Sequence, residues 1–127
     1  MDSKLYLTIA AIVAILYGIG FVLIPGTLLP LYGVDPEAHA VLNIQFFGAT
    51  LIAIGVIFWS AREFREWDAV RGVLIGAVVG DALGLVINVY GIMRGLVNAF
   101  GWSSTIVYVL LLLGALYCLF APANKQA

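Results

Sequence analysis

Four apolar runs, at residues 5–24, 40–59, 73–93 and 106–120, take up most of this 127-residue chain and leave only short connections between them. Each is at or near the ~20 residues that a helix needs to cross a hydrocarbon core ~30 Å thick. Six basic and seven acidic side chains are present, and all but Asp81 lie at the ends of these runs or between them. The pattern predicts an all-α transmembrane four-helix bundle in one domain, with spans at about 5–24, 38–60, 70–94 and 103–120.

Helices are required because lipid cannot hydrogen-bond a bare backbone. The strands of a closed barrel would alternate faces every second residue over about 9–11 residues, unlike these unbroken runs. A soluble bundle is disfavoured by composition. The chain is 64% hydrophobic and 10% charged, against roughly 45–50% and about 25% in soluble domains, and no run shows the polar face that water would have to solvate.

Orientation follows from the basic residues. An even number of spans puts both termini and the middle connection on one side, with Lys4, Arg62, Arg65, Arg71 and Lys125, while the other side has only Arg94. The positive-inside rule then predicts an inner-membrane protein with both termini cytoplasmic. Tyr6, Trp59, Trp67 and Tyr117 would form the inner aromatic belt, and Tyr32, Tyr90, Trp102 and Tyr108 the outer one. The first run exceeds the ~7–15 residues of a signal-peptide core and lacks a small-residue cleavage motif, so it is expected to remain as a helix.

Boundary signals place the helix ends. Pro25 and Gly26 close the first span; Asp35, Pro36 and Glu37 open the second with a cap, a first-turn proline and an acid. Asp68 is expected to cap the third span, Arg94 and Gly95 to end it, and Ser103 or Ser104 to cap the fourth. The apolar connection at 25–34 should lie at the lipid interface or fold over the outer end; with Pro25 and Pro30 it is too short for a re-entrant hairpin. The sign-alternating stretch at 62–68 reads as a short helix on the membrane surface with Phe64 and Trp67 toward lipid, or as a loop that docks a partner.

The third span carries the most specific pattern. Gly72, Gly76, Gly80 and Gly84 recur every four residues, with Asn88 next in the series. Small residues so spaced let helix backbones approach closely in lipid, so the row is expected to be a packing seam, within the chain or between copies. Asp81 adjoins it near the middle of the span. A carboxylate there costs roughly 2.5–3.5 kcal/mol on insertion scales, so it should face the interior and find partners. Depth matching against the second span predicts a polar pocket of Asp81, Asn88, Asn43, Gln45 and Thr50, closed by Tyr17, which either glues helices together or binds a ligand. A repeated Tyr-Gly-Ile at Tyr17 and Tyr90 favours a pseudo-twofold bundle.

Most chemistry finds no residues. His39 is the only histidine and Cys118 the only cysteine, so no metal set, haem pair, disulfide or dithiol can be assembled, and no cofactor is expected. No nucleophile elbow or phosphate-binding glycine loop is present, and a net charge of −1 gives no field to attract nucleic acid.

Four stretches carry a resemblance: Leu16-Tyr17-Gly18-Ile19 through Pro25, Asn43 through Ala49, Asp81 through Gly84, and Gly95 through Trp102. In these the chain resembles a group of small four-span prokaryotic membrane proteins, DoxX-like in size and span count, and the resemblance implies a four-span fold with no assigned activity to carry over. The function expected is a non-enzymatic helix-packing or assembly role in contact with membrane lipid, with a homo-oligomer as one form. The alternative is a small carrier or lipophilic-ligand binder that uses Asp81 as a protonatable acid.

Overall fold

Backbone groups in apolar runs must be paired within the run, and the computed structural model, which describes residues 2–121, pairs them in five α-helices. These are α1 (Ser3–Leu23), α2 (Pro25–Leu31), α3 (Ala38–Ala61), α4 (Trp67–Met93) and α5 (Gly101–Phe120). All but α2 are long and apolar enough to cross a membrane. Lys125 lies outside the described residues.

The chain breaks where a donor is missing. Ile24 N still donates to Gly20 O, but Pro25 has no N–H and instead opens α2, a seven-residue helix in place of the expected loop. Gly33, at φ 76°, turns the chain out of α2. Glu37, not Asp35, caps α3, accepting from His39 N at 3.0 Å and Ala40 N at 2.6 Å. The start of α4 likewise departs from expectation: Glu66 is the cap residue and Asp68 lies in the first turn. Residues 62–66 form a turn and an irregular segment, not a surface helix, and Trp67 is the first residue of α4. Arg94 and Gly95, the latter at φ 73°, end α4 as expected. No serine caps α5: Phe100 occupies the cap, and Ser103 Oγ donates to Phe100 O.

The four long helices form two antiparallel pairs, α1 with α3 and α4 with α5, while α3 and α4 meet only sparsely. In the first pair the backbones touch. A Cβ on Gly18 would stand 2.6 Å from Gly48 O, and one on Gly48 would stand 2.8 Å from Gly18 O. Two turns away, a Cβ on Gly55 would meet Ala11 O at 3.0 Å. Ala11 and Gly18, like Gly48 and Gly55, are spaced by about two helical turns, so antiparallel helices bring one small pair against the other. Such close approach is what associates helices in lipid, where apolar burial drives nothing.

The pairs are joined at their two ends. At the end that holds Asp2, Ala61 and Phe120, here the terminal end, Tyr6, Leu7 and Ala10 of α1 pack with Ala61, with Val70, Leu74 and Ala77 of α4, and with Ala115 and Cys118 of α5. Tyr6 is only 3% exposed and donates to Leu111 O at 3.0 Å, so it belongs to this core and not to an interfacial belt. At the α2 end, Asn98 clasps the first pair to the second. Its backbone N–H donates to Tyr32 O at 2.8 Å and its Nδ2 to Leu31 O at 3.0 Å, while the Tyr32 hydroxyl and Ser104 Oγ lie 2.8 Å apart.

Substituting Gly48 by Val is expected to destabilise the protein by about 1–3 kcal/mol, the scale of overpacking at a rigid contact, in denaturation titrations with SDS in mixed micelles. The capping hydrogen bonds, that from His39 foremost, hold the Glu37 carboxyl below the ordinary glutamate range. The cap is therefore intact above that range and lost as pH falls through the lowered value. Amide-exchange protection at His39 and Ala40 should fall in that acid window, and the Glu37→Ala variant should lack the transition.

Candidate functional site

One stripe of α4 faces the rest of the molecule. Val70, Leu74 and Ala77 are buried, and Asp81, Gly84 and Asn88 continue the same face at spacings of three and four residues. The stripe changes character along its length, apolar at the terminal end and polar toward the α2 end. Gly84 makes room for α5: a Cβ there would stand 2.5 Å from Tyr108 Cε1 and 2.9 Å from its hydroxyl. One turn on, Asn88 Nδ2 donates to Thr105 Oγ1 at 2.7 Å and to Gly101 O at 3.1 Å, tying α4 to α5.

Asp81 lies between these features and half-buried. The Tyr6 and Tyr108 phenols are within electrostatic reach of it. Among the described residues no hydrogen bond or ion pair joins its carboxylate. Tyr17 lies within reach of Tyr32 and Ser104 near the α2 end, with its ring 5.9 Å from that of Phe21.

The expected pocket between the second and third spans is not assembled. Asp81 and Asn88 sit on α4 and look toward α5, whereas Gln45 on α3 donates to Val22 O of α1 at 3.1 Å. Thr50 returns its hydroxyl to Phe46 O at 3.0 Å on its own helix, and Asn43 is exposed. Depth along a span leaves open the rotation about each helix axis, which decides what meets what, and the Gly18–Gly48 contact turns α3 toward α1.

The glycine row is divided in the same way. Positions four apart drift by about 40° per step on a helix of 3.6 residues per turn, so the row that meets Tyr108 at Gly84 winds away from the interior toward Gly72. Among the described residues, a Cβ on Gly72, Gly76 or Gly80 would meet nothing within 4 Å. Of that row Gly84 packs within the chain, against Tyr108, while the glycines that meet the backbone of a facing helix are Gly18, Gly48 and Gly55, whose signal was a spacing of seven shared between two runs. Tyr108 and Thr105 carried no signal of their own, since an aromatic and a threonine near a span's end also suit a lipid interface.

Asn88→Leu is expected to cost roughly 1–2 kcal/mol in SDS titrations, the scale of interhelical hydrogen bonds in membranes. Thr105→Ala should then add little on the Asn88→Leu background, because the two residues share the bond. In comparisons with known proteins, no family model, no curated protein and no solved structure matches the chain, so the chemistry of this site rests on its own residues.

Proposed function

We propose that the chain is a non-enzymatic, multi-pass protein of the inner membrane, with both termini cytoplasmic, that self-associates through the Gly72-Gly76-Gly80 face of α4. The observation that carries this reading is the open space over all three glycines, in a helix whose other face is already packed. A row of small residues at four-residue spacing is inclined to the helix axis, so a second copy of α4 can follow it in a right-handed crossing near −40°. The Arg and Lys residues at the terminal end support the orientation.

Because no described residue occupies that face, Gly76→Leu and Gly80→Leu should leave the monomer's unfolding unchanged and shift the protein to monomer in detergent, read by light scattering or cross-linking. An oligomer that survives both substitutions would overturn the proposal. This separates the face from Gly48, where bulk is expected to damage the monomer itself.

A second reading, a carrier or lipophilic-ligand binder working through Asp81, is favoured by one observation, the absence of a bonded partner for this carboxylate among the described residues. An uncompensated acid at mid-span is costly unless water or a ligand meets it. Asp81→Asn should abolish proton-coupled uptake in proteoliposomes or saturable binding of a lipophilic amine, and an unchanged response in both assays would remove this reading.

A further inference from the structure

At the terminal end, the start of α1, the end of α3, the 62–66 segment and the start of α4 enclose a cavity of ≈ 390 Å³, which lies more than two helical turns of α4 from Asp81. Its floor is apolar, made by Leu7, Ala61 and Val70, and its rim is charged, with Lys4, Arg62 and Arg65 against Asp2 and Glu63. The carboxylates are already engaged. Asp2 accepts from Leu5 N at 2.8 Å as the cap of α1. Glu63 Oε1 lies 3.3 Å from Lys4 Nζ and 3.6 Å from an Arg62 terminal nitrogen.

Cationic donors are left over. Arg62 is fixed by stacking, with Cζ 3.8 Å from the centre of the Trp59 ring, and its Nε is buried without a hydrogen-bond partner among the described residues. Arg65 lines the same cavity and forms no ion pair among the described residues. The cap residue of α4, Glu66, makes no side-chain hydrogen bond to the first turn, so the first backbone N–H groups of a 27-residue helix, beginning at Trp67 on the cavity wall, have no capping side chain, and the charge counterpart in that turn is Asp68.

We propose that this cavity binds the phosphodiester of a phospholipid headgroup, held by Arg62 and Arg65 at the first turn of α4. A guanidinium with a buried, unbonded Nε at Arg62, the exposed guanidinium of Arg65 and an uncapped helix N-terminus converging on one cavity are the chemistry that phosphate oxygens satisfy. The volume falls within the range of small-molecule sites and suits a headgroup more than a whole lipid. Phe64 and Trp67 line the cavity and Trp59 stacks on Arg62 beside it, which places interfacial aromatics at the level where a headgroup would sit if the four long helices span a bilayer. A free phosphate would offer the same oxygens without acyl chains to lie along the helices, and that difference separates the two sources. The inference rests on the membrane-spanning reading and is independent of self-association.

The test uses the full chain in a maltoside detergent, titrated with dioctanoyl phosphatidylglycerol, dioctanoylglycerol and inorganic phosphate, with tryptophan emission as the signal. Saturable binding of the phospholipid is expected, with no saturation by the neutral diacylglycerol and much weaker binding of phosphate. Arg65→Gln, an exposed position on which no helix contact depends, should weaken phospholipid binding about tenfold, the scale of one charge-assisted hydrogen bond. Arg62→Gln should do the same if it folds. Equal affinity for inorganic phosphate, binding of the neutral lipid, or indifference to Arg65→Gln would each overturn the proposal. Repeating the titration on Gly76→Leu, where affinity should be unchanged, keeps this outcome apart from that of self-association. Monodispersity of the chain in buffer without detergent would overturn the membrane reading beneath it.

Discussion

The direct contact of two peptide backbones, at Gly18 and Gly48, sets the arrangement of everything else. Helices already in lipid gain nothing by hiding apolar side chains from one another, so what holds them is how near they can come. Where neither partner has a Cβ, each carbonyl reaches the opposite Cα, and weak Cα–H hydrogen bonds add to dispersion. With α1 and α3 locked in this way, α3 meets α4 only sparsely, and the last two helices pair with each other.

That second pair holds by different means. Polar side chains bridge it: Asn88 reaches Thr105 and the Gly101 carbonyl, while the Tyr108 ring fills the space over Gly84. The two modes age differently under mutation. Adding atoms harms the first pair, and removing hydrogen-bond donors harms the second. Between the pairs, an apolar core at one end and the Asn98 clasp at the other carry the load, and the lone mid-span acid sits on the stretch of α4 between them.

What the residues revealed in advance was mostly one-dimensional. Span number, helix class and approximate ends follow from run length and from Pro25, Gly33 and Gly95, since each of these acts through its own backbone. Which acid caps a helix was less legible: Asp35, Glu37, Glu66 and Asp68 stand within a turn of one another in their respective segments, and the winner depends on where the helix begins by a residue or two. Azimuth was the real loss. The four-residue glycine row drew attention to α4, yet its drift carries it out of the interior, while two seven-residue pairs on different spans meant nothing until they were set side by side. The site suffered for the same reason. Depth alone singled out Asp81, but its expected companions on α3 belong to another interface, and its neighbours, Tyr6 and Tyr108, suit aromatic belts when only their distance from a run's end is read.

Pairing each long helix with the next long helix in the chain also has a consequence for biogenesis. The first hairpin completes its glycine contact with residues no later than Gly55, so it can zip shut while the ribosome is still making α4. Assembly then reduces to docking one finished hairpin against another, with only the ends to be matched.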